Sequence, residues 1–273
     1  MKGLEISKEC LARCEDRIME SIAMMVEQSN MSGAIVGISG GVDSALIATL
    51  ASRVVDVYGL ILPDTTTTDP EDVIHARELA ESLGIDYEII DISSIVREFY
   101  RARPKLGPKE CKIAYANIKP RVRMIMDYFA ANLDGRVVLG TGNKTEILLG
   151  YYTKYGDGGV DILPIGDLYK TRVWQLARHV GVPEKIVKKP PSAGLWKGQT
   201  DEGELGVTYK EIDAVLYGTF DLGLGLDELI KETGVDEKTI EKLLMKVKNS
   251  EHKRNMPPIV SMESAIECVR VCK

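Results

Sequence analysis

No stretch of this 273-residue chain approaches the run of about 18 apolar residues that a membrane-spanning helix needs. The N-terminus also lacks an apolar signal core. Neither membrane insertion nor export is expected, and the expected location is cytoplasmic. An excess of basic charge is missing too. The formal net charge is −6, which disfavours a nucleic-acid partner on bulk charge. Cysteine is sparse: five residues, an odd number, with no CxxC pair. A secreted disulfide framework is therefore not expected. Cys10 and Cys14 are four apart on a probable helix, as are Cys268 and Cys272, so each pair shares a helical face. They could form a metal site or a redox link between the terminal helices. Packing as small apolar side chains is the simpler account. Internal repeats and low-complexity linkers are absent.

What is present has the make-up of a globular domain, 44% hydrophobic and 28% charged. Leu4, Leu11, Ile18, Ile22, Met25 and Val26 recur at helical spacing and predict one amphipathic helix over 4–29. Strand-like runs at 34–38, 57–62, 86–90 and 136–140 alternate with helical patterns at about 43–54, 70–83 and 112–132. That alternation predicts an α/β fold with a parallel sheet flanked by helices on both faces. Asp69 followed by Pro70, Glu71 and Asp72 has the composition of a helix start. Residues 150–167 and 189–206 are rich in glycine or proline and predict long loops, of a length that is usually functional. Residues 168–188 and 207–250 predict helices, with a last short helix near 262–272. A single domain over 1–273 is expected, with a core at about 30–206 and a helical C-terminal extension at about 207–273.

The most informative segment runs Gly37-Ile38-Ser39-Gly40-Gly41-Val42-Asp43-Ser44, between two apolar runs. It reads as strand, tight turn and helix start. Glycines let the backbone turn sharply and leave room for a ligand. Successive amide N–H groups and a helix N-terminus then suit a phosphate, and Ser39 and Ser44 add hydroxyl donors. Asp43 would repel phosphate alone, but makes sense as a ligand to Mg²⁺, a hard cation that shares carboxylate and phosphate oxygens. A P-loop would need GxxxxGK[ST], and Val42-Asp43-Ser44 carries no lysine; the GxGxxG fingerprint is also absent.

The SGGxDS pattern resembles the pyrophosphate loop of N-type ATP pyrophosphatases, which cleave ATP to AMP and pyrophosphate. Later segments narrow the resemblance. Asn117-Ile118-Lys119-Pro120-Arg121-Val122-Arg123-Met124 is similar to the NxxARxRM helix of NAD synthetases, with proline for alanine. Pro120 should kink that helix or mark its first turn. Gly140-Thr141-Gly142-Asn143-Lys144-Thr145-Glu146 resembles their GTxNxxE segment, and Tyr151-Tyr152-Thr153-Lys154-Tyr155-Gly156-Asp157-Gly158 their FFTKYGDG loop. Lys170, Pro191-Ser192-Ala193-Gly194-Leu195, Asp201-Glu202 and His252-Lys253-Arg254 follow in the expected order. The chain resembles the ammonia-dependent NAD synthetases, over about residues 30–258.

That resemblance implies an adenine-nucleotide alpha-hydrolase-like fold and a ligase that converts deamido-NAD, ATP and ammonia into NAD, AMP and pyrophosphate. It implies Asp43 and Glu146 as Mg²⁺ ligands and, with Lys170, as the catalytic set. ATP contacts would come from the 37–44 loop, Thr141, Lys170 and Ser192. Deamido-NAD contacts would come from Arg121, Tyr151, Tyr152, Lys154, Asp157, Asp161, His252 and Lys253. It also implies a homodimer, with the long N-terminal helix and the aromatic loop at 151–155 as candidate contacts. No glutaminase segment is present, so free ammonium or a separate glutaminase would be the ammonia source. Two further readings keep the loop but change the function: a GMP synthetase-like enzyme or tRNA thiolase, and a non-enzymatic nucleotide sensor. The lack of CxxC and of basic charge argues against a thiolase. The TKYGDG loop argues against a GMP synthetase, and the complete acidic and lysine set argues against a sensor.

Overall fold

A computed structural model describes residues 2–102, 111–196 and 198–263. After a short 3-10 turn, helix α1 (Lys8–Gln28) leads to β1 (Gly33–Gly37), α2 (Val42–Ala51), β2 (Val57–Ile61), α3 (Pro70–Leu83) and β3 (Asp86–Ile89). Helices α4 (Ser93–Ala102), α5 (Lys112–Ala116) and α6 (Ile118–Asp134) precede β4 (Arg136–Leu139) and α7 (Lys144–Leu149). The rest is helical: α8 (Lys170–His179), α9 (Glu184–Val187), α10 (Asp201–Leu205), α11 (Tyr209–Phe220), α12 (Leu226–Thr233), α13 (Glu237–Asn249) and α14 (Glu251–Arg254).

The strands form one parallel sheet in the order β3-β2-β1-β4. Side chains alternate between its faces, as strand geometry requires. Ala34, Val36, Val57, Ile61, Val137 and Leu139 enter one core with α1, α2, α3 and α8. Ile35, Leu60 and Val138 enter another with α4 and α6. Both faces are covered at β1, β2 and β4, so these read as continuous apolar runs, whereas the edge strand β3 is mostly exposed. Each fully buried Leu or Ile adds about 1.5–3 kcal/mol relative to exposure. A third apolar cluster joins Leu4, Leu149 and Tyr169 to α11, α12 and α13.

Helix α2 is the exception to amphipathicity. Every residue but Asp43 is buried, because β1, α1, α3 and α8 enclose it. Its N-terminus therefore opens into the protein rather than into solvent, and that is where the glycine turn lies.

Several boundaries differ from the sequence reading. The helix expected at 112–132 is two helices broken at Asn117, with Pro120 in the first turn of α6, where the missing N–H costs nothing. Helix α4 was not anticipated, and the loop expected at 189–206 contains α10. Helix α1 turns its stripe of Leu11, Ile18, Ile22 and Val26 into the chain's own core, so this stripe is not a surface for a partner. The helix expected near 262–272 and the Cys268/Cys272 pair lie outside the described residues but for the start of that range. Cys14 packs partly against the first core, whereas Cys10 accepts a hydrogen bond from Arg13.

Candidate active site

The turn after β1 is built as its sequence suggests. Gly40 has φ +81, and a Cβ there would lie 2.4 Å from the Asp72 carbonyl oxygen, so only glycine fits. Ser39 and Ser44 meet across the turn at 2.9 Å, and Ser44 Oγ also accepts from the Ser39 amide at 3.1 Å. Asp43 sits in the first turn of α2. Its Oδ1 accepts from Asn143 Nδ2 at 3.0 Å, and its Oδ2 pairs with Lys170 Nζ.

Helix α7 brings the second carboxylate. Asn143 and Glu146 form a capping box: Asn143 Oδ1 accepts from the Glu146 amide at 3.1 Å, and Glu146 Oε2 from the Asn143 amide at 3.2 Å. This leaves Glu146 Oε1 3.6 Å from Lys170 Nζ. Lys170, 2% exposed, opens α8. Behind it Asp213 accepts from Thr145 Oγ1 at 2.6 Å and from the Thr171 amide at 2.8 Å, which satisfies the start of α8.

Charge at this point is finely balanced. Burial pushes the Glu146 carboxyl above the ordinary range; Lys170 opposes that shift and Asp43 reinforces it. Burial alone would lower the Lys170 ammonium, but Asp43 and Glu146 together outweigh it and raise it. Two carboxylates held about one buried cation suit a hard divalent ion that completes its shell with phosphate oxygens. Among the described residues no group of three or more His, Cys, Asp or Glu is arranged to hold a metal alone. The residues thus fit Mg²⁺ delivered with a polyphosphate.

A cavity of about 480 Å³ opens beyond this cluster, at the C-terminal ends of β1, β2 and β4. Open α/β sheets bind ligands at this edge. The 37–44 turn lines it, except Gly40, whose place is against Asp72. Thr141, Glu146, Lys170, Ser192, Tyr151 and Tyr152 also line it. A second cavity of about 300 Å³ adjoins it, sharing Thr141, Glu146, Tyr152, Asp157 and Lys253 and adding Lys154.

The loop after α7 is firmly tied. Lys253 Nζ donates to the Gly150 and Tyr152 carbonyls, each at 2.6 Å, while Arg254 donates to the Leu148 carbonyl at 2.7 Å. Asp157 accepts from the Thr153 amide at 2.8 Å, and burial raises its carboxyl above the ordinary range. Tyr151 donates to Glu204 at 2.8 Å. Lys154 Nζ donates to the His252 carbonyl at 2.5 Å.

Three of the residues expected to hold the dinucleotide line neither cavity. Asp161 spends both oxygens within the chain, accepting from Tyr128 Oη at 2.9 Å and the Val138 amide at 2.8 Å. His252 is exposed. Arg121 is exposed and donates to the Lys154 carbonyl at 3.3 Å. The arginine that enters the cavity is Arg123, whose Nε donates to the Leu62 carbonyl at 2.9 Å. Asp127, one turn on, enters with it.

A strap over 189–196 lines the cavity along its length. Lys119, buried under it, donates to the Leu195 carbonyl at 3.0 Å, to Thr67 Oγ1 at 2.7 Å and to Asp64 Oδ2 at 2.8 Å. Burial would raise the Asp64 carboxyl, but Lys119 and the donors of Thr66 hold it well below the usual range. Lys112 stands 3.5 Å over the Trp196 ring, and Asp201 accepts from the Ala193 amide at 3.1 Å.

A parallel sheet, a serine–glycine turn entering a buried helix and a carboxylate–lysine cluster at the strand ends together define a nucleotide-binding protein of the adenine-nucleotide alpha-hydrolase-like fold. Comparison with known proteins narrows this: the NAD synthase family model matches residues 15–257, and the chain belongs to that family. It is 46% identical to an NH(3)-dependent NAD(+) synthetase of Methanosarcina acetivorans over 250 residues, 90% of this chain and 97% of that protein. It is 45% identical to the enzyme of that name from Pyrococcus horikoshii, over 92% of this chain and 96% of that protein. Among solved structures, an NMN synthetase from Francisella tularensis superposes with a TM-score of 0.82 at 33% identity, covering 94% of this chain and all of that one. An NH3-dependent NAD synthetase from Campylobacter jejuni, in complex with nitrate, gives 0.77 at 28% identity, with 94% and 100% coverage.

Proposed function

We propose that this chain is an ammonia-dependent NAD synthetase that adenylates the nicotinate carboxylate of deamido-NAD with ATP and then amidates it. The observation that carries the reading is the convergence of Asp43, Glu146 and Lys170 on the glycine turn, at the edge of one cavity and beside a second that adjoins it. A carboxylate is a poor electrophile at neutral pH. Its oxygen attacks the α-phosphorus of ATP, the bond to the bridging β-oxygen breaks, and pyrophosphate leaves. Ammonia then attacks the mixed anhydride, and the C–O bond to AMP breaks. The protein's task is positioning and charge stabilisation.

In this reading Ser39, Ser44 and the turn amides receive the departing pyrophosphate, while Lys170 and Ser192 grip the polyphosphate from the other side. Thr141 touches ATP. Asp43 and Glu146 would hold Mg²⁺, which when bound neutralises charge on the phosphate oxygens. Lys170 fills that electrostatic role between the two carboxylates otherwise, and is free to turn to phosphate when a divalent ion satisfies them. Tyr151, Tyr152, Lys154, Asp157 and Lys253 frame the second ligand. The test is product analysis with ATP, ammonium and either deamido-NAD or nicotinate mononucleotide, the second acceptor being included because one structural neighbour is an NMN synthetase. NAD with AMP is expected from deamido-NAD, and glutamine should not replace ammonium. ADP as product would refute the reading, and preference for the mononucleotide would move the acceptor.

A homodimer belongs to the same reading, with a contact on α6 rather than on the buried stripe of α1. Ile125, Phe129 and Leu133 are 52%, 58% and 69% exposed and repeat every four residues along α6. Arg121 begins the same stripe. A second copy covering this face would bring its surface beside Arg121, Lys154 and the exposed Tyr155, and so complete the dinucleotide site from outside.

A further inference from the structure

We propose that Asp127 accepts a hydrogen bond from a ribose hydroxyl of the bound adenosine and so makes the site selective for ribonucleotides; this rests on the ATP-dependent reading above. Asp127 projects from the face of α6 that packs on β1 and β4, and it lines the large cavity. Its Oδ1 is shut off from solvent and has no hydrogen-bond partner. A buried carboxylate oxygen left so is rare in folded proteins and points to a missing donor. Arg123 does not supply it. No ion pair joins the two within 4.0 Å among the described residues, and the Arg123 Nε is committed to the Leu62 carbonyl. Burial accordingly leaves the Asp127 carboxyl raised to about 7, with Arg123 opposing only through its charge.

Opposite the carboxylate stands Gly37, the last residue of β1. A Cβ built there would lie 3.7 and 3.8 Å from the two Asp127 oxygens, with nothing else beyond its chain neighbours within 4 Å. Both residues line the cavity, so a side chain at 37 would stand against the carboxylate on the cavity wall. Gly37 is two residues before Ser39, so this wall adjoins the phosphate turn. A nucleotide whose phosphates occupy that turn has its sugar as the next group along. The donor Asp127 lacks must be a hydrogen-bond donor without negative charge, which excludes phosphate and fits a hydroxyl. Such a bond is charge-assisted, stronger than a neutral one. A site built to bond a hydroxyl rejects the analogue lacking it, because its own polar group is left unpaired.

The test compares ATP, 2′-deoxy-ATP and 3′-deoxy-ATP with the intact chain and with Asp127→Asn and Asp127→Leu. Calorimetric binding needs no turnover, so it decides the proposal even if the product assay overturns the acceptor. The intact chain should bind ATP roughly 10- to 100-fold more tightly than one of the deoxy analogues. Asp127→Leu should bring that ratio close to one by weakening ATP alone, and Asp127→Asn should retain part of it. Thermal melting of each variant checks that it folds, and removal of an unpaired buried charge should not lower the midpoint. Equal binding of all three nucleotides by the intact chain would overturn the proposal. So would discrimination that persists in Asp127→Leu, or a variant whose only change is a raised KM for ammonium.

Discussion

Replacing Lys119 by methionine tests whether the strap along the cavity is held by one buried cation. The substitution keeps the chain's length and removes three donors at once. Two effects of different size follow. Loss of the hydrogen bond to the Leu195 carbonyl removes about 1.5–3 kcal/mol from strap closure, a charged donor being worth that much. The open population should therefore rise by roughly 10- to 150-fold. Separately, Asp64 is left buried without its counter-ion, which costs about 3–5 kcal/mol of global stability. The two are separable. In Lys119→Met with Asp64→Asn the buried charge is gone, so the urea midpoint should largely recover. The strap should not, because nothing replaces the bond to Leu195. Hydrogen exchange at the Ala193 and Leu195 amides reports closure directly, since they donate to Asp201 and Gln199. The Lys112–Trp196 contact remains and sets a floor of about 0.5–2 kcal/mol on the residual closure. Unchanged protection of those amides in the double variant would refute the latch.

Asp43→Asn and Glu146→Gln should each abolish most pyrophosphate release without unfolding the chain, and their combination should be far less damaging than the product of the two, because they act on one ion; a near-wild-type rate at low Mg²⁺ in either would refute the pairing. Asp127 is raised from 3.8 to about 7 in the fold, so the folded state holds its proton more tightly and stability should fall as pH rises through that window. Urea midpoints from pH 5 to 8 should show that decline in the intact chain and less of it in Asp127→Asn. Phe129→Asp should shift sedimentation from dimer to monomer and lower activity with it, whereas a stable, fully active monomer of the intact chain would remove the α6 face from consideration.

The sheet and the phosphate turn were legible because their signals are local. Strand-like runs spaced by turn residues marked all four strands to within a residue or two, and an acid inside a phosphate-type loop calls for a nearby cation. Lys170 was legible only through family order, since nothing near it in sequence says that it faces Asp43. Helix α4 was missed because it follows β3 closely, and its few buried positions, Ser93 and Val96, make a short pattern. The arginine helix shows the limit best. Arg121 and Arg123 are equivalent in a motif, but Pro120 fixes where the first turn begins, and two residues of helical rotation send one outward and one into the cavity. Lys119, Asp127 and Asp213 gave no signal at all, because each matters through partners brought together by the fold.

The staple formed by Lys253 and Arg254 has a consequence for how the site comes into being. These side chains hold carbonyls about a hundred positions earlier, and Gly150, with φ +63, lets Ser250 approach so closely that a Cβ there would lie 2.2 Å from the serine's own. Residues 250–254 are the last part of the site to be synthesised, so these contacts cannot form until the rest of it has been made. The phosphate turn, by contrast, needs only β1, α2 and their neighbours. On the ribosome, a nascent chain could thus acquire its polyphosphate cradle while the 151–157 loop is still unsupported. The half of the pocket that receives the acceptor would be assembled last, so a chain cut short before residue 250 would bind a nucleotide without being able to present it to anything.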